Sequence, residues 1–251
     1  LPLLETMGVK TMVLTRESPP AGIAAWMEEM RPHLAGGGQC AFLVRDGALS
    51  YPKRTYANNY ALRREEAIAR ILDTAGDAVI VATTGKTGRE LFELRAARGE
   101  DHAHDFLTVG SMGHASALAL GIAIHRPNRR VIALDGDGAA LMHMGAMATI
   151  GAAAPPNLMH ILLNNEAHES VGGAPTAASS ISFPAIAENL GYHVLPTAQT
   201  ADALTHALLQ LHDARALTFL EVRTAVGSRA DLGRPTTTPH ENKEALMETL
   251  R

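Results

Sequence analysis

Two short apolar runs, residues 131–134 and 158–163, end at Gly136-Asp137-Gly138 and at Asn164-Asn165, with 25 residues between Gly138 and Asn164. Residues 139–150 follow the glycines with apolar side chains at helical spacing, so the first cluster is a turn from a strand into a helix. Pro155-Pro156 introduces the second run. Both polar clusters therefore fall at the carboxyl ends of parallel strands, the edge at which open α/β sheets bind ligands.

The residue types suit one kind of ligand. Gly136 and Gly138 let a backbone approach a diphosphate closely, and the amides of Gly138 and Ala139 at the start of the helix add donors and a favourable dipole. Asp137 and Asn165 offer hard oxygen atoms for a magnesium-sized cation. Gly, Asp and Asn also dominate ordinary turns, and either cluster alone reads more readily that way. Their shared strand-end position and spacing favour a metal-diphosphate anchor over two unrelated turns.

The rest of the chain alternates strands and helices. A strand at 11–14, a helix at 21–34, the glycines Gly36, Gly37 and Gly38 and a strand at 41–44 form one βαβ unit, too small to be a stable sheet by itself. After an interruption at 51–57 containing Pro52, Lys53 and Arg54, the spacing predicts helix 63–72, strand 78–82, helices 89–98 and 115–125 and the two motif strands. Helix 184–190, strand 192–195, helix 201–214, strand 218–222 and a last helix from Glu241 follow, with a long unpatterned loop at 227–239. The fold class is α/β, a parallel sheet with helices on both faces. Arg63-Arg64-Glu65-Glu66 reads as an exposed helix face.

Composition and rival motifs remove other classes. A formal charge of −4 over 251 residues argues against a general nucleic-acid binder, and no apolar stretch approaches the roughly eighteen residues that span a bilayer. The single Cys40 excludes an intrachain disulfide framework and, with no visible signal peptide, fits a cytoplasmic protein. Gly85-Lys86-Thr87 after a strand suggests a P-loop, but Ile80 stands where that motif needs glycine. Leu141 likewise stands where a dinucleotide fingerprint built on Gly136 and Gly138 needs its third glycine.

The Gly-Asp-Gly and Asn-Asn pair at this distance resembles the thiamine-diphosphate enzymes. Longer strings narrow the likeness: Thr83-Thr84-Gly85-Lys86-Thr87-Gly88-Arg89-Glu90, Asn164-Asn165-Glu166-Ala167-His168-Glu169-Ser170-Val171-Gly172-Gly173 and Gly227-Ser228-Arg229-Ala230-Asp231-Leu232-Gly233-Arg234-Pro235 look like the phosphonopyruvate and sulfopyruvate decarboxylases. The last string tips the likeness toward phosphonopyruvate. The resemblance implies thiamine diphosphate and Mg²⁺, or another divalent cation, as cofactors, with the cation on Asp137, Asn165 and the backbone oxygen of Ala167. It makes Met112, 25 positions before Asp137, the wedge between the cofactor rings, and the carbonyl of Gly110 an acceptor for the cofactor's amino group. Thr84, Gly85 and Lys86, at the end of strand 78–82, are placed to meet the diphosphate or the substrate. His114 and His168 flank the wedge loop and the cation loop, and imidazole suits proton transfer near neutral pH. Arg229 and Arg234 are candidates to close over an anionic substrate.

The implied reaction is the non-oxidative decarboxylation of a 2-oxo acid, 3-phosphonopyruvate to phosphonoacetaldehyde and carbon dioxide, a step of phosphonate biosynthesis. The alternatives are sulfopyruvate decarboxylation and a non-catalytic thiamine-diphosphate-binding subunit. Leu1 to Gly8 look like the close of the family's pyrimidine-binding domain, making residues 1–56 its C-terminal remnant plus linker and residues 57–251 the pyrophosphate domain. In this family a glutamate of the pyrimidine-binding domain activates the cofactor, and that residue would precede Leu1. The missing part of the polypeptide, another copy or another subunit must supply it, and a homo-oligomer is expected. The 251 residues alone should therefore bind thiamine diphosphate and cation weakly and not turn over; decarboxylase activity of the isolated chain, with no added domain, would contradict this.

Overall fold

The computed structural model describes residues 1–50 and 56–251, and the chain falls into two units, Leu1–Lys53 and Arg54–Arg251. Most of the interruption at 51–57, with Pro52, Lys53 and Arg54, lies outside the described residues. The first unit contains α1 (Pro2–Thr6), β1 (Lys10–Leu14), α2 (Pro20–Ala35) and β2 (Cys40–Val44). β1 and β2 pair in parallel with Lys10 opposite Cys40, so α2 is the crossover of a single βαβ unit. Trp26 of α2 packs on Phe42 of β2 with ring centroids 4.9 Å apart.

The second unit begins with α3 (Arg64–Ala75), β3 (Val79–Ala82), α4 (Lys86–Ala97), β4 (Asp105–Leu107), α5 (Ala115–His125) and β5 (Val131–Gly136). It continues through α6 (Asp137–Met142), α7 (Gly145–Ala153), β6 (Leu158–Asn164), β7 (Ala167–His168), β8 (Ala174–Pro175) and α8 (Phe183–Asn189). β9 (His193–Val194), α9 (Ala201–Asp213), β10 (Thr218–Arg223) and α10 (Pro239–Thr249) complete it. Six strands form a parallel sheet in the order β4-β3-β5-β6-β10-β9. Ile132, Leu134, Met159 and Ile161 pack under α3, α4 and α9 on one face, and Val131, Ala133, Leu158 and Leu162 under α5, α7 and α8 on the other. Burial on both faces explains why the runs are apolar at every position.

Strand order positions the site. From β3 the chain crosses through α4 to β4, then returns through α5 to β5 on the opposite flank of β3. Because α4 and α5 cover opposite faces, a crevice opens between the carboxyl ends of β3 and β5, the topological switch point of the sheet. The helix expected at 139–150 is in fact two, broken at His143-Met144 ahead of Gly145; a glycine inside a helix costs about 1 kcal/mol, which lowers the resistance to a break. α4 starts at Lys86 instead of 89, with Gly85 as its cap. No helix among the described residues is long and apolar enough to cross a membrane.

The short edge strand β4 carries too few residues to show a pattern in sequence. Its open side is covered by α10: Asn242 Oδ1 accepts from the Leu107 amide at 2.9 Å, and Asn242 Nδ2 donates to the Asp105 carbonyl at 2.7 Å. One side chain thus replaces a neighbouring strand. Asn242→Ala strands two buried backbone groups, each costing about 1–3 kcal/mol, and should move the urea midpoint of the protein accordingly; an unchanged midpoint would show that water serves the edge equally well.

Candidate functional site

Parallel pairing sets Gly136 of β5 opposite Leu163 of β6, so the chain leaves both strands at one level. There, at the switch point, lies a cleft. Of the residues nominated from the sequence it gathers Thr84, Lys86, Met112, Gly136, Asp137, Gly138, Ala139, Asn165, Ala167 and His168. Gly85 lines an adjoining cleft instead, and Gly110 and His114 line neither. The exposed His114 has its Nδ1 3.1 Å from the Ser111 carbonyl oxygen and its ring 4.1 Å from that of His143.

Two close approaches shape the walls. Gly113 has φ +90°, and a Cβ there would sit 2.7 Å from the Ala139 carbonyl oxygen, so only glycine lets the loop touch α6 and bring Met112 to the cleft. A Cβ on Gly138 would lie 2.7 Å from His168 Nδ1, which puts the imidazole directly on the start of α6. The two asparagines divide their work. Asn164 is turned into the sheet, donating to Glu221 Oε1 at 2.7 Å and accepting from the Glu166 amide at 3.0 Å, whereas Asn165 lines the cleft.

The donor chemistry matches a hard cation and a diphosphate. The Asp137 carboxylate is buried and accepts from the Thr176 hydroxyl at 2.6 Å. Burial pushes its carboxyl above the usual range, offset only in part by the Thr176 hydroxyl and the amides of Asn165, Asp137 and Gly138. It makes no ion pair among the described residues. Asn165 Oδ1 accepts from the Ala167 amide at 3.1 Å and keeps a second lone pair. Among the described residues no three His, Cys, Asp or Glu side chains cluster as a metal site. One carboxylate with amide and backbone oxygens is what Mg²⁺ takes when phosphate oxygens and water complete its shell. The amino ends of α4 and α6, with Lys86, offer amides and positive charge to an anion. The hydroxyl of Thr83, on the cleft wall, is buried with no partner among the described residues.

Several residues overturn or extend the sequence reading. Arg64, expected on an exposed helix face, is buried and lines the cleft. Its Nε and Nη2 fork onto Glu90 at 2.7 and 2.8 Å, and Nη1 donates to Glu169. Glu169 also accepts from Lys86 Nζ at 2.9 Å and from Asn165 Nδ2 at 2.7 Å. Burial would raise the Glu169 carboxyl, but Arg64 and Lys86 prevail and hold it below the usual range. Arg64 was detectable: Ala67, Ile68, Ile71 and Leu72 form the buried stripe of α3, and one turn back the stripe meets Arg64. Arg229 is not at the cleft; it pairs with Glu65 at 2.8 Å, with Glu93 and with Asp231 at 3.3 Å. Tyr56 and Tyr60 each donate to Glu166 at 2.7 Å, and Asn58 Nδ2 donates to the Asn165 carbonyl at 2.9 Å. No sequence pattern marks these three. Arg64→Ala leaves Glu90 buried without its partner and should lower stability by about 3–5 kcal/mol in denaturant unfolding. Arg64→Lys should recover only part, because an ammonium cannot keep the fork; full recovery would reduce the pair to simple charge.

Over residues 83–222 the chain matches the family described as thiamine pyrophosphate enzyme, C-terminal TPP binding domain. It is 40% identical over 205 residues to a phosphonopyruvate decarboxylase of Streptomyces hygroscopicus, covering 81% of this chain and 50% of the relative. With the phosphonopyruvate decarboxylase of Streptomyces viridochromogenes it shares 40% identity over 179 residues, 71% of this chain and 44% of the relative. It thus spans about half the length of these relatives. A sulfopyruvate decarboxylase subunit beta of Methanothermobacter thermautotrophicus is 39% identical over 134 residues, 53% of this chain and 69% of that protein. The chain belongs to the thiamine pyrophosphate enzymes, and the residues matched are those of their cofactor-binding C-terminal domain.

Proposed function

We propose that the chain supplies the diphosphate- and cation-binding half of a thiamine-diphosphate-dependent decarboxylase that converts 3-phosphonopyruvate to phosphonoacetaldehyde and carbon dioxide. The observation that carries this reading is the buried, unpaired Asp137 carboxylate set beside Asn165 and Ala167 at the amino end of α6. Identity of 40% to two phosphonopyruvate decarboxylases supports the substrate. Thiamine diphosphate, when bound, supplies the electron sink for loss of carbon dioxide from a 2-oxo acid.

In this reading Asp137, Asn165 and the Ala167 carbonyl hold Mg²⁺. The Gly136-Asp137-Gly138 turn with the Ala139 amide, and Thr84, Gly85 and Lys86, hold diphosphate oxygens. Met112 would support the rings, and the Gly110 carbonyl would be the acceptor for the cofactor's amino group. His168, on the cleft wall, and His114, whose ring lies against that of His143, are the two imidazoles that could hold a proton for the product carbon. Residues 1–56 are the end of a pyrimidine-binding domain plus linker and 57–251 the pyrophosphate domain. The activating glutamate comes from the rest of the polypeptide, another copy or a separate subunit. Coverage of 69% of a relative named as a subunit beta supports the separate subunit, and with it sulfopyruvate as the second reading.

Calorimetric titration of thiamine diphosphate into the complete enzyme should give binding only with Mg²⁺, and none in Asp137→Ala. Cation-independent binding, or binding of ATP or NAD in its place, would sink the proposal. Turnover should be fastest with phosphonopyruvate among phosphonopyruvate, sulfopyruvate and pyruvate.

A further inference from the structure

Beside the first cleft lies a second, which shares Thr84, Lys86, Glu169 and Ser170 with it. Its charged side chains are Lys86, Arg89 and Arg234 against Glu169, three positive and one negative, a surplus of two. Two of these cations are already engaged. Lys86 pairs with Glu169, and Arg89 donates through Nε and Nη2 to the carbonyls of Gly233 and Leu232. Arg234 is exposed on the cleft wall and makes no ion pair among the described residues.

Its backbone is nevertheless fixed on both sides. Gly233 is held by Arg89 through its carbonyl and by Glu93 through its amide. Glu93 also pairs with Arg229, which reaches Glu65. Beyond Arg234, Thr238 and Glu241 close a reciprocal capping box at the start of α10. The ion pairs of Arg229 therefore anchor the loop, and Arg234 is the guanidinium left facing solvent at the cleft.

The geometry points to a pocket for the anionic tail of the substrate, a tetrahedral phosphonate or sulfonate, with Arg234 as the side chain that recognises it. A guanidinium presents its donors in a planar fork suited to two oxygens of such a group, and Thr237 adds a hydroxyl. The 2-oxo acid end then lies toward the first cleft, past the shared Thr84 and Ser170. This assignment rests on the decarboxylase reading and adds to it the determinant of substrate choice.

In the complete enzyme, Arg234→Ala should lower kcat/KM for phosphonopyruvate relative to pyruvate by about 10- to 100-fold, the size of a lost charge-assisted hydrogen bond, with part regained in Arg234→Lys. Titrating phosphonoacetate into the cofactor-free enzyme should show binding that Arg234→Ala weakens by a similar factor, and sulfoacetate in parallel reports which anion the pocket prefers. An unmoved specificity ratio, or phosphonoacetate binding indifferent to Arg234, overturns the assignment. A wild-type enzyme that turns over neither phosphonopyruvate nor sulfopyruvate defeats the proposed function instead, and the tail pocket then stands or falls by the phosphonoacetate titration.

Discussion

The parallel register of β5 and β6 is the constraint on which the site depends. With Gly136 opposite Leu163, the residues that follow, Asp137 and Asn164-Asn165, leave the sheet at the same height and on the flank where α4 and α5 part. A slip of one residue would exchange the faces of every side chain on the shifted strand. It would send Ile132 and Leu134 out of one core and Asp135 into it. Because both faces are buried, no slipped register is tolerable. The hydrophobic core thus sets the spacing of the two polar clusters.

What the register assembles offers a diphosphate no surplus of positive side chains. Arg64 and Lys86 line the cleft against Asp137 and Glu169, two charges of each sign, and both cations are already paired with Glu169. A divalent cation at this edge adds the positive charge that two helix amino ends supply only in part. Cation and diphosphate are on this account taken up together. The loop that carries Asn165 and Ala167, the proposed cation donors, is stiffened from outside: Glu166 sits at φ +59°, a conformation costly for a non-glycine residue, with a tyrosine hydroxyl on each carboxylate oxygen. The bond to Glu166 is the main reason that the Tyr56 phenol is pushed up to about 12.

Sequence periodicity reached the features that repeat and missed those that converge. The parallel strands, the amphipathic α3 and α9, and the cleft at the strand ends were legible because each is written over many residues or into a fixed spacing. α4 was read three residues short because Gly85 and Gly88 look like a turn, yet they form the cap and first turn of the helix. Arg64 reads as exposed because a charge beside other charges suggests solvent, and its partners Glu90 and Glu169, 26 and 105 residues away, make burial tolerable. The bonds of Tyr56 and Tyr60 to Glu166 cross more than a hundred residues, a distance at which spacing carries no information.

Lys86 sits at the wall common to both clefts, and its ammonium is already committed to Glu169. A point charge of this kind cannot serve a diphosphate on one side and a substrate anion on the other at full strength, since each weakens its hold on the next. Glu169 pairs with both Lys86 and Arg64, and Glu90 with Arg64, so neither cation is left free for a second anion at the first cleft. On the proposed assignments, discrimination between the two anions follows from placement: the diphosphate is favoured where Asp137 and Asn165 would hold the cation, and the substrate's tail where the Arg234 guanidinium lies, without an ion pair among the described residues. One connected space could then hold two anions without exchanging them.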